Sequence, residues 1–467
     1  MSYETAVAQM YALGHELGQT PAHKFDLGHM RVLLAALGHP ERKFPSVLIA
    51  GTNGKGSTAA TLASILQASG LKTGLYTSPH LVRINERVRL NGVPIADDDF
   101  ALLHDVVGRT AERLVGEGDL PWHPSFFEML TAMAFEYFAR SRPDTVVLEV
   151  GMGGRLDATN VVAPRLSIIT DVSLDHQKYL GETVAEIARE KAGIIRPGGI
   201  VVTLPQLAEA NNVIGNAILD AEARAVNAVP YVPPVSPGSA EFWETASKGL
   251  TGVRAESGAE PAKEWAGPKQ RYPLQVMGEQ IMVESPLIGR HQLRNVALAI
   301  AAAVELCEQG FTQITADSME RGIRETHWPG RFQVIASQGD SPEYVLDGAH
   351  NPAGAWALRS TLSAAYEDRA ITMVFGVLRD KAMSEIAEIL FPITERVILT
   401  HASNPRSAST QEIRQAAARV TIEISEADSI ALALEQAKIQ AGPGGLVVVT
   451  GSIYIVGEAM RTLGVRI

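Results

Sequence analysis

The chain has 467 residues, of which 46% are hydrophobic and 20% are charged, so it is too long for one small domain and too apolar to remain disordered. Its 41 Lys and Arg against 52 Asp and Glu give a net charge of −11, which leaves no overall positive field to attract a nucleic-acid backbone. The single cysteine, Cys307, cannot form a disulfide within the chain, and no segment has the pattern of a secretion signal or a membrane span. These properties predict a cytoplasmic globular protein of two or three domains, without nucleic-acid or membrane partners.

The first part of the chain repeats short apolar runs, rich in β-branched residues, with enough residues between them for helical crossovers. The predicted strands cover residues 44–50, 73–77, 145–150 and 166–172. This alternation is typical of an α/β fold with a mostly parallel sheet.

A glycine-rich loop joins the first predicted strand to a helix that starts at about Ser57. The loop consists of Gly51, Thr52, Asn53, Gly54, Lys55, Gly56, Ser57 and Thr58. Bare glycine N–H groups at a helix N-terminus can surround phosphate oxygens, while Lys55 adds a positive charge and Ser57 a Mg²⁺ ligand. The spacing departs from the general P-loop pattern, and the alternative is a glycine turn with a solvated lysine. We interpret the loop as a phosphate-binding loop.

Glu149 ends an apolar strand, and in open parallel sheets ligands bind at the carboxyl ends of the strands. The simpler interpretation is that Glu149 is merely the first solvated residue at the end of the strand. Beside a phosphate site, a metal-binding carboxylate is the better hypothesis.

Residues 181–195 predict a helix with Thr183 as N-cap and Glu186 in a capping box. The helical period places Lys191 within the apolar stripe, where it either reaches the rim of the buried face or reacts as a neutral amine with CO₂. The resulting carbamate would be an oxygen ligand for a divalent cation. His176, after the preceding strand, is a candidate ligand for the same ion, or else a hydrogen-bonded structural histidine.

The second half begins with a Pro-, Gly- and Ser-rich stretch, residues 235–271, which predicts an irregular insertion. A helix is predicted over residues 291–309, and the Pro-Gly sequence before Arg331 predicts a domain boundary near residue 330. Beyond it, alternating strands and helices predict a second, smaller α/β unit. In that unit Asp347 and His350 lie on one turn, which would either contact a nucleotide or act only as a capped Asn-Pro turn.

Together these motifs resemble the folylpolyglutamate synthase and dihydrofolate synthase family of the Mur ligase group, which forms amides with ATP. The resemblance covers most of the chain. It rests on motifs at residues 51–58, 76–80, 83–87, 149–154, 157–160, 174–177, 191–195, 327–331, 347–352 and 450–452.

The resemblance implies a P-loop-type ATP-binding domain at residues 1–329, with the insertion at about 235–271, and a Rossmann-like ligase domain at residues 330–467. It also implies a role for individual residues. The catalytic residues would be Lys55, His176 and Lys191, and further ATP contacts would be Asn295, Arg331, Asp347 and His350. One Mg²⁺ would be held by Ser57 and Glu149, and a second by His176 and carbamylated Lys191. The pterin-bearing substrate would lie near Ser78, Pro79 and Asp157.

The implied reaction joins L-glutamate to reduced folates, and to dihydropteroate, through an acyl phosphate made with ATP. We expect a monomer whose partners are these small molecules. Two other functions stay open: a Mur-type ligase acting on a nucleotide-sugar peptide, and a non-catalytic ATP-binding switch. The motifs at residues 77–80 and 84–92 favour the folate ligases.

Overall fold

The computed structural model describes residues 1–14, 26–234, 269–337 and 339–465. The chain forms two compact units, the first from Met1–Tyr231 and Asn295–Gly322 and the second from Val232–Arg294 and Ile323–Ile467. The domain boundary at residue 330 stays a prediction. No helix in the described ranges is long and apolar enough to cross a membrane.

Helices and strands alternate along most of the described chain. The helices of at least one α-helical turn are α1 (Tyr3–Ala12), α2 (Leu27–Ala36), α3 (Lys55–Ala68), α4 (Asp97–Glu117), α5 (Phe126–Ser141), α6 (Gln177–Leu180), α7 (Val184–Ala192), α8 (Ala208–Asp220), α9 (Arg290–Glu308), α10 (Ala316–Arg324), α11 (Pro352–Ala365), α12 (Met383–Leu390), α13 (Thr410–Ala416), α14 (Ile430–Ala441) and α15 (Ile453–Thr462). The strands are β1 (Ser46–Ala50), β2 (Thr73–Tyr76), β3 (Val88–Leu90), β4 (Val93–Pro94), β5 (Thr145–Glu149), β6 (Leu166–Ile169), β7 (Ile200–Thr203), β8 (Arg224–Asn227), β9 (Gln270–Val276), β10 (Glu279–Ser285), β11 (Gln333–Ile335), β12 (Glu343–Leu346), β13 (Ile371–Phe375), β14 (Arg396–Leu399), β15 (Glu423–Glu426) and β16 (Leu446–Thr450).

The first unit contains an eight-stranded sheet in the order β4-β3-β2-β5-β1-β6-β7-β8. Neighbouring strands in the series β2-β5-β1-β6-β7-β8 pair in parallel. At one edge, β3 is antiparallel to β2 and β4 is antiparallel to β3. Every residue of β1 and β5 is buried, which agrees with their mostly apolar sequences. The predicted parallel sheet is confirmed, and its antiparallel edge is an addition that the sequence pattern did not reveal.

The second unit contains a six-stranded sheet in the order β11-β12-β16-β13-β14-β15, in which only β11 is antiparallel to its neighbour. A separate antiparallel hairpin pairs β9 with β10. The predicted second α/β unit is confirmed.

The predicted irregular segment at residues 235–271 needs one correction. Residues 235–268 lie outside the described residues. Gln270 and Arg271, however, belong to β9, where the side chains alternate between buried and exposed positions as far as Val276. This alternation marks a half-buried strand, and the preceding Pro- and Gly-rich stretch concealed its start.

The helix that carries Lys191 begins with the capping box that its sequence predicts. Thr183 caps α7 by accepting a hydrogen bond from the Glu186 N–H, and the Glu186 carboxylate accepts one from the Thr183 N–H. This confirms the predicted capping box. Ile187 and Ala188 are buried on the same side as Lys191, so the apolar face of α7 holds a lysine.

Candidate active site

The loop between β1 and α3 leaves no room for side chains at two of its glycines. A Cβ atom on Gly51 would lie 1.7 Å from the Thr170 hydroxyl oxygen. A Cβ atom on Gly54 would lie 2.1 Å from Oδ1 of Asn295, and Gly54 has a φ of 90°, which favours glycine. The loop therefore presents bare backbone, and Asn295 lies directly beside it.

The end of β6 holds this loop in place. The N–H groups of Thr52 and Asn53 both donate to the carbonyl oxygen of Asp171, at 2.8 and 3.2 Å. The Thr170 hydroxyl donates to the Asn53 carbonyl at 2.8 Å, and the Thr52 hydroxyl donates to the Ser173 carbonyl at 2.9 Å. Asp171 and Ser173 could not be found from the sequence, because they accept these bonds through main-chain oxygens, which leave no signature in residue identity.

The backbone N–H groups of the loop and of the helix that follows it have different roles. Thr52 and Asn53 use their N–H groups inside the protein, whereas the first turn of α3, which begins at Lys55, offers the N–H groups of a helix start. The first N–H groups of a helix have no partner within the helix and carry its positive dipole end. The N-terminus of α3 is therefore suited to bind an anion.

Two lysines meet at the Gly51 carbonyl. The Lys55 ammonium donates to it at 3.0 Å and to the Thr52 carbonyl at 3.3 Å. Lys191, whose side chain crosses from α7, donates to the same carbonyl at 2.8 Å. The structure thus brings the predicted catalytic lysines together at the start of the glycine loop.

Lys191 is only 3% exposed. Burial is the main reason why its pKa falls from 10.5 to about 7, and the positive charge of Lys55 lowers it further. The carboxylate of Asp175 opposes this shift, so the segment that carries His176 lies close enough to act on Lys191 electrostatically. An amine in these surroundings is largely neutral at mildly alkaline pH and therefore nucleophilic.

Glu149 lies at the carboxyl end of β5, next to β1, and is 4% exposed. One of its oxygens, Oε2, accepts a hydrogen bond from the Ser78 N–H at 3.2 Å. Ser78 precedes Pro79 through a cis peptide bond. The strand end therefore brings together a predicted metal ligand, Glu149, and a predicted substrate-binding residue, Ser78. Ser57 is buried in the first turn of α3, after the glycine loop.

Asp157 is buried beside the segment that follows β5. It accepts hydrogen bonds from the N–H of Met152 at 3.0 Å and from the N–H and hydroxyl of Thr159 at 3.0 and 2.6 Å. Burial nevertheless raises the pKa of this carboxyl above its usual value. These bonds fix the loop between β5 and the short 3₁₀ helix Ala158–Val161.

The donor set fits magnesium in part. Among the described residues, no group of three or more His, Cys, Asp or Glu side chains could hold a metal ion. Magnesium needs no such cage, because one or two protein oxygens with phosphates and waters complete its shell, and Ser57 and Glu149 supply oxygens of this kind. At the predicted second ion, Lys191 fits only as a carbamate, since an ammonium has no lone pair and a neutral amine offers nitrogen instead of the oxygen that Mg²⁺ prefers.

The remaining predicted nucleotide contacts lie on two turns of the second unit. Asp347 accepts from the N–H of Phe332 at 2.9 Å and from that of Ala349 at 2.8 Å. Burial raises the pKa of Asp347, and Arg331 opposes the shift. His350 donates from Nδ1 to the Gly348 carbonyl at 2.8 Å, which leaves Nε2 as the acceptor of the neutral ring. Asp347 thus fixes the backbone next to Arg331 through its bond with the Phe332 N–H.

Comparison with known proteins gives concordant matches. Residues 330–453 match the family model described as Mur ligase, glutamate ligase domain. The chain is 33% identical over 447 residues to the dihydrofolate synthase/folylpolyglutamate synthase of Bacillus subtilis (strain 168), covering 94% of each chain.

Solved structures extend this similarity to the fold. The folylpolyglutamate synthase of Mycobacterium tuberculosis, complexed with ADP and AMPPCP, has a TM-score of 0.83 at 31% identity, over 100% of this chain and 99% of that one. FolC of Escherichia coli, in complex with DHPP and ADP, has a TM-score of 0.79 at 26% identity, over 99% and 98% of the two chains.

Proposed function

Since this chain belongs to the folylpolyglutamate synthase and dihydrofolate synthase family, we propose that it is an ATP-dependent ligase that joins L-glutamate to reduced folates and to dihydropteroate. The observation that carries the proposal is the meeting of Lys55 and Lys191 at the carbonyl of Gly51, in a loop with no room for side chains. A non-catalytic ATP switch would need the phosphate loop but not a second, buried lysine beside it.

The reaction must activate a carboxylate, because its negative charge repels nucleophiles. In the first step a carboxylate oxygen of the acceptor attacks the γ-phosphorus of ATP, and the bond to the β-phosphate oxygen breaks to give an acyl phosphate and ADP. In the second step the amine of glutamate attacks the acyl carbon, phosphate leaves with the bonding electrons, and the amine loses a proton. The products are an amide, ADP and phosphate.

The protein contributes mostly position and charge to the first step. The first turn of α3 and the Lys55 ammonium would face the phosphates, while the hydrogen bonds that Thr52 and Asn53 donate to the carbonyls of Asp171 and Ser173 hold the loop in place. Asn295 lies against Gly54 and would contact the nucleotide, as would Arg331, Asp347 and His350 of the second unit. The segments of Ser78 and Pro79 and of Asp157 would hold the pterin-bearing acceptor.

Magnesium, when bound, neutralises charge on the phosphates, and Ser57 and Glu149 would hold one ion. His176 and a carbamate on Lys191 would hold another. The carbamate forms when the neutral Lys191 amine attacks CO₂ and loses a proton, so that its nitrogen keeps one N–H for the Gly51 carbonyl. The lowered pKa of Lys191 supports this modification, because only the unprotonated amine reacts.

The test is product mass and phosphate release with purified protein, ATP, Mg²⁺ and L-glutamate, with dihydropteroate and tetrahydrofolate in separate reactions. We expect each acceptor to gain one glutamyl unit and each amide formed to release one phosphate. A gain on tetrahydrofolate alone would restrict the enzyme to polyglutamate extension. Turnover of neither acceptor, but of a nucleotide-sugar peptide, would assign it to another branch of the Mur ligases. Lys55→Ala is the control for phosphate release by a contaminant.

A further inference from the structure

Asn160 connects two segments that the proposed reaction uses. It is 6% exposed, at the end of the loop that begins after β5 and contains Asp157. Its Nδ2 donates to the carbonyl of Arg155, in its own loop, at 3.0 Å and to the carbonyl of Gly193, just beyond α7, at 3.1 Å. Both amide hydrogens are thus used, one on each segment.

Arg196 completes the connection from the side of α7. Its Nη2 donates to Oδ1 of Asn160 at 2.6 Å and to the carbonyls of Asn160 and Val162, both at 3.0 Å. Its Nη1 donates to the carbonyl of Ile194 at 3.4 Å. The arginine therefore binds main-chain oxygens on both segments, and Asn160 lies between them.

The two backbones are also in direct contact. The Arg155 N–H donates to the carbonyl of Glu190 at 2.8 Å. A Cβ atom on Gly154 would lie 2.8 Å from the Glu190 carbonyl oxygen and 3.1 Å from that of Lys191, and one on Gly193 would lie 2.4 Å from Cβ of Arg155. Glycine at both positions allows this approach, which places the loop that contains Asp157 against the backbone of Lys191 itself.

We propose that Asn160 is a positioning residue that fastens the Asp157 loop to the end of α7, so that the loop expected at the acceptor and the lysine at the phosphate loop keep a fixed separation. This inference rests on the proposed function, in which the acceptor carboxylate must meet the γ-phosphoryl group. The glycine loop has its own anchors at Asp171 and Ser173, so loss of Asn160 affects acceptor placement and leaves nucleotide binding intact.

The kinetic test uses two variants. Asn160→Ala removes the side-chain bonds to the Arg155 and Gly193 carbonyls and to Arg196, and Arg196→Lys removes the guanidinium group that binds main-chain oxygens on both segments. A displaced acceptor raises KM for dihydropteroate and lowers kcat, by about tenfold or more together, because small misplacements are costly in rate. KM for ATP changes less than about twofold, since the α3 N-terminus keeps its anchors. A merely structural role would lower the active fraction and leave both KM values unchanged.

Arg155→Ala is the matched control. It removes the exposed ion pair between Arg155 and Glu190 but keeps the Arg155 carbonyl that accepts from Asn160. Exposed ion pairs contribute little, so this variant keeps wild-type kinetics. If Arg155→Ala reproduces the Asn160→Ala phenotype, the ion pair makes the connection and the proposal is wrong.

Hydrogen exchange separates this inference from the proposed function, because it needs no turnover. In Asn160→Ala and Arg196→Lys, amides of the Asp157 loop and of the C-terminal half of α7 exchange faster together, while those of α3 exchange at the wild-type rate. Faster exchange in only one segment, or none in either, overturns the inference even in an active ligase. Coupled exchange in a protein that glutamylates no folate would retain the connection and reject the function.

Discussion

Lys191 combines a cost to the stability of the fold with the chemical function proposed for it. A charged ammonium in this buried position would lose its hydration and lie near the Lys55 cation, and one hydrogen bond to the Gly51 carbonyl compensates for only part of that loss. The neutral amine is therefore favoured in the folded protein. In the unfolded chain the same group titrates near its ordinary pKa of 10.5.

The first prediction concerns stability between these two pKa values. Between pH 7 and 10.5 the unfolded chain binds the proton that the folded protein has released, so the free energy of unfolding rises with pH, by at most about 1.4 kcal/mol per unit. Lys191→Met removes this dependence. Urea unfolding of both proteins in CO₂-free buffer measures the difference. The exposed Lys72→Met is the control, and parallel curves for wild type and Lys191→Met would contradict the lowered pKa.

The second prediction concerns the carbamate. Lys191→Ala should lose activity by about 100-fold or more, the order seen when a charge-stabilising group is removed, and short carboxylates such as acetate should restore part of it. Lys55→Ala is the matched control, because an added carboxylate does not replace a cation. A Lys191→Ala protein that is folded, inactive and not rescued would contradict the carbamate. Initial rates across a carboxylate concentration series give the measurement.

Part of the site could be predicted at this scale, and the reason differs between residues. Lys191 is predictable because the helical period places it among buried apolar residues. Asp171 is not, since it holds the glycine loop through its main-chain oxygen, which every residue possesses. Asn160 was included in a motif, but its hydrogen-bond acceptors at Arg155 and Gly193 are separated from each other by nearly forty residues, and spacing gives no hint of that contact.

At the scale of elements, α3 shows how the start of a helix becomes suited to bind an anion. Gly54 adopts a positive φ at the N-cap, and Gly70 adopts a φ of 81° just beyond the other end of the same helix. Both positions disfavour a side chain through the backbone, but only Gly54 also has a neighbour, Asn295, where a Cβ would lie.

The third prediction follows from this pair of glycines. Gly54→Ala and Gly70→Ala should each destabilise the protein by about 1 kcal/mol or more, because alanine is strained at positive φ. Only Gly54→Ala should also weaken binding of a non-hydrolysable ATP analogue, by about tenfold, since it displaces Asn295. Thermal unfolding and titration calorimetry give the two quantities. Equal nucleotide affinities in the two variants would reject the role of Asn295.

Elements with strong local signals were predicted and those without were not. Strands β1, β2, β5 and β6 fall within the four segments predicted from their apolar, β-branched sequences. The short β3 and β4 escaped prediction, because a sequence of mixed charged and apolar residues becomes a strand there only by pairing with the edge of the sheet. Local pattern alone does not specify such partners.

At the scale of the whole molecule, each unit has its own sheet and its own hydrophobic core. Phe135 is fully buried in the first core and Phe391 in the second, where it packs edge-to-face on Phe375 at 5.2 Å. Separate cores give separate sources of stability, so unfolding need not be a single two-state transition.

The fourth prediction uses these two phenylalanines as matched probes. Phe135→Ala and Phe391→Ala each remove a fully buried ring and should cost about 3–5 kcal/mol in their own unit. Differential scanning calorimetry should show each variant shifting a different part of the unfolding endotherm to lower temperature. If both variants shift the entire endotherm equally, the chain unfolds as one cooperative unit and the prediction is wrong.

The edges of the two sheets have a consequence for the protein in a crowded cell. The first sheet ends on one side in β4, two residues long, where Pro94 has no N–H to offer to a further strand. On the other side it ends in the four-residue β8, whose Arg224 pairs with Glu305. The second ends in the three-residue β11 and in β15, whose Glu423 pairs with Arg396. Short, charged or proline-bearing edges discourage strand addition by a neighbouring copy. We therefore expect the folded protein to resist edge-to-edge aggregation even at high concentration, with fibril formation requiring prior unfolding.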